Sequence, residues 1–186
     1  MMNFSGTIQA KIYQRKSKGN GIIAEIKSIL SEIPFGKYTF QVAMKLRESM
    51  LINGILFDSE AWHGVNLKQI KTLEAIDEDL LISILKLHRK TPTDFLYLPL
   101  RWIIAQRRIL YLKHIMKRHE NDLLRRVFQA QKYDETKGDF VDLVTKDWIS
   151  LEITHEEVTS NTMSKTKLKN ILKTSAQKSC FIISSK

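Results

Sequence analysis

Residues 66–87 read NLKQIKTLEAIDEDLLISILKL, and this stretch decides the fold. Its apolar residues recur three and four positions apart, the spacing that places side chains on one face of an α-helix. They are Leu67, Ile70, Leu73, Ile76, Leu80, Leu81, Ile84 and Leu85. Asn66 is a good N-cap, so we predict a long helix from Asn66 to Leu87. Its outer face carries Glu74, Asp77, Glu78 and Asp79, and we expect that face to be solvated.

The same helical spacing extends in both directions along the chain. It predicts further helices over 22–33, 38–62, 99–118, 120–132, 138–151 and 165–179, with a short apolar piece at 95–98. The helix over 38–62 is so densely apolar that we expect it to be nearly surrounded by protein. Seven glycines and three prolines in 186 residues supply too few turns for a sandwich or barrel. We therefore expect an all-α fold, an irregular helical bundle with a flexible basic C-terminal tail.

The charge is concentrated at the two ends of the chain. Lysine and arginine total 30 against 20 acidic residues, a net charge of +10. Residues 1–18 hold four basic and no acidic residues, and residues 161–186 hold six basic and no acidic residues. This pattern predicts a basic N-terminal segment at 1–18, a helical domain at 19–160 and a basic, partly helical tail at 161–186. Clustered cations favour a polyanionic partner, because neutralising phosphates releases counterions; solubility alone explains the composition equally well.

No motif in the sequence points convincingly to catalysis. Residues 19–24, GNGIIA, match the loose Gly-x-Gly-x-x-Ala pattern, but no strand precedes them, so we interpret them as a flexible loop leading into the first helix. Glu74 and Glu78 share a helix face, yet a solvated surface explains them better than a metal site. The five histidines are scattered, and Cys180 has no histidine close to it in sequence. We expect no catalytic residue, metal or cofactor.

The helix predicted over 99–118 is the most informative basic element. Its apolar arc contains two arginines, Arg101 and Arg108, seven positions apart. A buried guanidinium without a partner is costly. We therefore expect both arginines either to pair with acids of the 66–87 helix, the favoured alternative, or to project from a groove edge towards a ligand.

Seven short strings between residues 5 and 141 are distinctive when taken together. They are SGTI at 5–8, RKSKGNGI at 15–22, KLRESMLIN at 45–53, FDSEAW at 57–62, LEAIDE at 73–78, RWIIAQRR at 101–108 and TKGDFV at 136–141. In this order the chain, to about residue 173, resembles the region downstream of the catalytic palm in reverse transcriptases of RTE-type, non-LTR (LINE-like) retrotransposons.

The resemblance implies a helical thumb and linker that packs beside the palm and cradles a primer–template duplex. The contacts that it implies are largely to the backbone of the duplex. It implies an RNA–DNA or DNA duplex and the absent palm as partners. By position, the candidate contacts are Arg15, Lys16, Lys18, Arg101, Arg107, Arg108, Lys113, Lys117 and Arg118. The family's palm Asp-Asp motif and endonuclease domain are absent, and a short turn before Pro99 is missing. We expect a truncated, non-catalytic copy of a retrotransposon RNA-directed DNA polymerase.

The alternative function is an all-α protein-interaction module or a relic without nucleic-acid binding, and exposed leucines and isoleucines on the second helix would favour the module. The chain has no apolar stretch of the roughly 20 residues that span a bilayer, so no membrane contact is expected. Its single cysteine and the lack of a signal sequence favour the cytoplasm or nucleus.

Overall fold

The computed structural model is helical across the part of the chain that it describes, and no strand occurs there. The described residues are 4–34, 36–62, 65–88, 98–134, 138–154, 156–157 and 164–184. The helices are α1 (Phe4–Ser31), α2 (Lys37–Leu46), α3 (Asn53–Ile55), α4 (Leu67–Leu85), α5 (Leu100–Met116), α6 (Leu123–Asp134), α7 (Phe140–Ser150) and α8 (Lys165–Ser184). A π-helical turn, Arg47–Ile52, joins α2 to α3, and a 3₁₀ turn covers Ser59–Ala61. The all-α prediction is confirmed, whereas most of the apolar piece at 95–98 lies outside the described residues.

The chain forms two compact units. Unit 1 comprises Met1–Phe57 and Val65–Thr93, and unit 2 comprises Asp58–Gly64 and Asp94–Lys186. Unit 1 therefore contains α1 to α4, and unit 2 contains the 3₁₀ turn and α5 to α8. The division predicted from charge, at residues 18 and 160, is a division by composition and stays a prediction.

Helix α4 has nearly the bounds that its apolar spacing predicts. The Asn66 side chain accepts a hydrogen bond from the Gln69 backbone N–H, and the Gln69 side chain accepts one from the Asn66 backbone N–H. This capping box satisfies two backbone N–H groups that have no partner within the helix. Lys86 ends the helix in the left-handed conformation, with φ of 52°. The predicted stripe is buried from Ile70 to Leu81, but Leu67, in the first turn, is 69% exposed and was wrongly assigned to the core.

Helix α1 corrects the loop predicted at residues 19–24. It runs for 28 residues without interruption through Gly19 and Gly21. A Cβ atom on Gly19 would lie 3.0 Å from Ile55 Cγ2 and 3.3 Å from Ile76 Cγ2, so the missing side chain lets α1 approach α3 and α4 closely. Gly21 faces open space. Gly19 therefore allows close helix packing, whereas no neighbour of Gly21 requires a glycine there. Both residues lie within α1 and not in a loop.

The helix predicted over 38–62 is also corrected. It is α2, a π turn and α3 in succession, and Tyr38 on α2 is 75% exposed rather than surrounded by protein. The π turn adds a residue to the helical repeat and so turns Arg47, Leu51 and Ile52 inwards together. Apolar spacing alone gives no signal of this extra residue.

The inward turn of Arg47 produces a buried ion pair with Asp77 of α4. Arg47 Nε donates to Asp77 Oδ1 at 2.6 Å and Nη2 donates to Oδ2 at 2.5 Å. Burial raises the pKa of the Asp77 carboxyl, and the hydrogen bonds and charge of Arg47 oppose that rise. Asp77 is fully buried, so the expectation that it belongs to the solvated acidic face of α4 was wrong. Its partner Arg47 lies 30 residues away in sequence, and helix spacing relates only residues within one helix.

Unit 2 is built around α5, which packs against α6, α7, α8 and the 3₁₀ turn. Its core joins side chains from all four helices and the loop after α7. They are Ile109, Leu112, Ile115, Phe128, Phe140, Val144, Leu151, Ile153, Leu168 and Leu172. Leu168 and Leu172 belong to the segment predicted to be a flexible tail. In the structure this segment forms α8. Its first half packs into the core of unit 2, where both leucines are fully buried.

The buried ion pair gives a first prediction for stability. Asp77→Asn removes the carboxylate that pairs with the buried Arg47 guanidinium, which lowers the free energy of unfolding by about 3–5 kcal/mol. The paired change Arg47→Met with Asp77→Leu recovers most of that loss, because neither charge remains. Urea unfolding followed by circular dichroism measures both, with Asp79→Asn at an exposed position as the control. Equal effects of Asp77→Asn and Asp79→Asn would contradict the buried pair.

The continuity of α1 gives a second prediction. Gly21→Ala raises the free energy of unfolding by about 0.5–1 kcal/mol, because alanine is the better helix former and the site is open. Gly19→Ala brings the same helix propensity into a crowded contact and gains less. Thermal unfolding of the two variants compares them directly. If residues 19–24 were a loop, neither alanine would stabilise the chain.

Candidate nucleic-acid interface

Three basic residues of α1 line one side of that helix. Lys11, Arg15 and Lys18 are spaced i, i+4 and i+7, which places them on one face. Lys11 and Lys18 are exposed, and Arg15 is half-buried. We call these three residues the α1 basic stripe. Lys11 was not among the predicted contacts, because no helix was predicted before residue 22, whereas α1 begins at Phe4.

Arg15 is the member of the α1 basic stripe that contacts other parts of unit 1. Its Nη1 donates to the carbonyl oxygen of Gly54, within α3, at 3.3 Å. Its guanidinium carbon also lies over the Phe57 ring, 5.5 Å from the ring centroid. A guanidinium at this distance is attracted by the face of an aromatic ring. The hydrogen bond and the ring contact both favour this position of the cation.

Gly54 allows the α1 basic stripe to lie beside α3. A Cβ atom at position 54 would run into the Ile22 side chain and would lie 3.8 Å from Lys18 Cε. The absent side chain thus brings Ile22, Lys18 and Arg15 of α1 against the α3 backbone. Lys18 therefore lies beside Gly54, whose carbonyl accepts the hydrogen bond from Arg15.

Lys16 does not belong to the α1 basic stripe. At about 100° of helix rotation per residue it lies roughly 100° from Arg15, across the buried positions Ile12 and Gly19. It is exposed on the other flank of α1. The structure therefore brings Arg15 and Lys18 together and separates Lys16 from them.

The lysines of α1 have no acidic partner within the described part of the chain. Lys11, Lys16 and Lys18 take part in no ion pair there, and no acidic residue occurs in residues 1–18. An ammonium group without a fixed partner remains hydrated and available to an anion. The flank of α1 that carries Lys11 and Lys18 is thus positively charged, and Lys16 adds a separate cation on the other flank.

The arginines of α5 are engaged within unit 2. Arg108 is buried, and its Nη1 donates to Asp147 Oδ2 of α7 at 3.2 Å. Burial raises the pKa of the Asp147 carboxyl, and the charge and hydrogen bond of Arg108 oppose the rise. Pairing within the fold is confirmed for Arg108, but its partner is on α7 and not on the 66–87 helix as predicted. A buried, paired guanidinium is not a surface contact for nucleic acid.

Arg101 and Arg107 are half-buried rather than outward-facing. The Arg101 guanidinium lies over the ring of its neighbour Trp102, 5.6 Å from the centroid. Burial lowers the pKa of the Arg107 guanidinium, and the charge of Glu60, in the 3₁₀ turn, raises it in part. Both residues therefore interact with side chains of their own unit.

The end of α5 is held by a polar network. Arg118 Nη1 donates to Asp122 at 2.9 Å, Arg118 Nη2 lies 3.0 Å from His114 Nε2, and Arg125 donates to the Arg118 carbonyl at 2.7 Å. The hydrogen bond from Arg118 is the main reason that the pKa of Asp122 is lowered. These contacts fix the turn between α5 and α6. Lys113 is half-buried, and Lys117 is exposed with no ion pair within the described residues.

The structure thus separates the nine predicted contacts into two kinds. Lys16, Lys18 and Lys117 are exposed cations, and Arg15 is partly exposed beside Phe57. The three arginines of α5, and Arg118 two residues beyond its end, contact neighbouring side chains. Lys113 of α5 is half-buried and also interacts with another group. Phe57, at the same site as Arg15, was missed, since no sequence spacing links residues 15 and 57.

The described residues offer neither a metal site nor a membrane span. No group of three or more histidine, cysteine, aspartate or glutamate side chains there is arranged to hold a metal ion. Among the helices of that same part, none has the length and apolar character needed to cross a bilayer.

Comparison with known proteins adds no relative. No known family model, no curated protein and no solved structure matches the chain.

Proposed function

We propose that this chain binds nucleic acid through backbone phosphates, without sequence preference and without catalysing a reaction. The observation that carries the proposal is the α1 basic stripe, whose lysines have no acidic partner among the described residues. The resemblance to the thumb and linker of retrotransposon reverse transcriptases supports an RNA–DNA or DNA duplex as the ligand. It also supports a separate palm domain as a partner.

The geometry of the α1 basic stripe suits a phosphate backbone. Seven residues of α-helix separate Lys11 from Lys18, a rise of about 10 Å. That length corresponds to about three steps of a nucleic-acid strand at 3.4 Å each. Long lysine side chains on one helix face can therefore follow successive phosphates of one strand. Such contacts carry no sequence information, which accounts for the lack of base preference.

The predicted strength of binding follows from the number of cations. Each neutralised phosphate contributes about −0.9 to the slope of log affinity against log salt. An interface of three α1 cations gives a slope of about −3 and modest affinity at physiological salt. The sequence favours the cytoplasm or nucleus, where such ligands occur.

A salt series with matched charge variants tests the proposal. The wild-type chain is expected to bind a fluorescent 20-base-pair RNA–DNA hybrid, and Lys11→Gln with Lys18→Gln reduces the salt slope by about 1.8. The control is Lys45→Gln with Lys68→Gln, two exposed lysines elsewhere in unit 1 that remove the same charge. Fluorescence anisotropy measures the slopes, and circular dichroism checks folding. Equal slopes for the two double variants would contradict a specific interface on α1.

A protein-interaction module is the second candidate function. It is favoured by exposed apolar residues on α6, where Leu123 is 72% exposed and Leu124 and Val127 are also exposed. The leucines and isoleucines of the second predicted helix give it no support, because Leu51, Ile52, Ile55 and Leu56 are buried. A folded, helical chain that ignores the hybrid at low salt would favour this second function.

A further inference from the structure

We propose that Phe57 is a stacking platform for one unpaired nucleobase, next to the phosphate contacts of the α1 basic stripe. The inference rests on the proposed function and extends it from duplex backbone to an adjoining single strand. It assigns a base-binding residue that the charge pattern does not indicate.

The first observation is the exposure of Phe57. The residue is 58% exposed, although a phenylalanine of a folded unit is ordinarily buried. Arg15 lies over one face of the ring, 5.5 Å from its centroid. With more than half of the residue exposed, ring surface away from Arg15 is open to solvent. The second ring face, which Arg15 leaves uncovered, has the size and flatness to stack a base.

The second observation is that the ring has a cationic neighbour. Arg15 donates a hydrogen bond to the Gly54 carbonyl, and its guanidinium lies 5.5 Å from the centroid of the Phe57 ring. This contact favours one position of the ring. A partly ordered aromatic side chain loses less freedom than a mobile one when a ligand stacks on it.

The third observation is the charge beside the ring. Arg15 and Lys18 lie on the same flank of α1, and Lys18 reaches Gly54, three residues before Phe57. A nucleotide needs a π face for its base and a cation for its phosphate, and this cluster supplies both. Aromatic stacking next to a basic groove is how proteins bind single strands without sequence preference, since every base has a π face. The chemistry thus selects an unpaired nucleotide over a fully paired one.

The experiment compares three ligands that differ only in one end. They are a blunt 20-base-pair RNA–DNA hybrid, the same hybrid with a four-nucleotide overhang, and the hybrid with an abasic overhang of equal length and charge. The wild-type chain is expected to bind the overhang hybrid about tenfold more tightly than the blunt one. The abasic overhang, which has phosphates but no bases, is expected to lose most of that preference.

Variants of Phe57 assign the preference to this ring. Phe57→Leu reduces the ratio of overhang to blunt affinity to about one, and Phe57→Trp restores it, because tryptophan keeps a π face. Tyr38→Leu, at an exposed aromatic residue of α2, leaves the ratio unchanged and serves as the control. Circular dichroism and urea unfolding confirm that each variant is folded.

The outcomes separate the two proposals. Binding to all three ligands with equal affinity, or a preference that survives Phe57→Leu, overturns the stacking platform while phosphate binding stands. Equal affinity for natural and abasic overhangs likewise overturns it, since extra phosphates then explain the preference. A folded chain that binds none of the ligands at low salt overturns the proposed function itself.

Discussion

Unit 1 depends on the buried ion pair between Arg47 and Asp77. The pair joins the π turn to the centre of α4 through two short hydrogen bonds, and both side chains are removed from solvent. Such a pair fixes geometry more than it adds stability, because the cost of desolvation offsets most of the attraction. The geometry that it fixes is the exit from the π turn. That exit places α3, with the Gly54 carbonyl and Phe57, beside Arg15 on α1.

Arginine and lysine have different roles in this chain. The arginines form directed contacts inside each unit, as in the pairs Arg47–Asp77 and Arg108–Asp147. Their planar, weakly hydrated guanidinium suits such buried or partly buried contacts, whereas the strongly hydrated ammonium of lysine stays in water. A count of positive charge treats the two residue types alike. The resemblance assigned cations of α5 to the interface by position, although the structure engages most of the α5 cations locally.

Apolar spacing was enough to predict α4, α5 and the all-α class, because each depends on neighbours three and four positions apart. It could not predict the π turn, whose inward Arg47 pairs with a residue 30 positions away, nor the tight packing of Gly19 against Ile55 and Ile76. The same limit applies to the site. Lys11, Arg15 and Lys18 share a face because α1 begins at Phe4, where no helix was predicted, and Phe57 meets Arg15 only through tertiary packing.

Lysine footprinting tests the central claim, that nucleic acid is bound on the flank of α1 that carries Lys11 and Lys18. The folded chain is acetylated with and without a saturating RNA–DNA hybrid, and each lysine is quantified by mass spectrometry. We expect the hybrid to slow acetylation of Lys11 and Lys18 several-fold. The acetylation rates of the exposed lysines Lys45 and Lys68 are expected to stay the same. Uniform protection of all exposed lysines, or protection centred on Lys113 and Lys117 of unit 2, would contradict the claim.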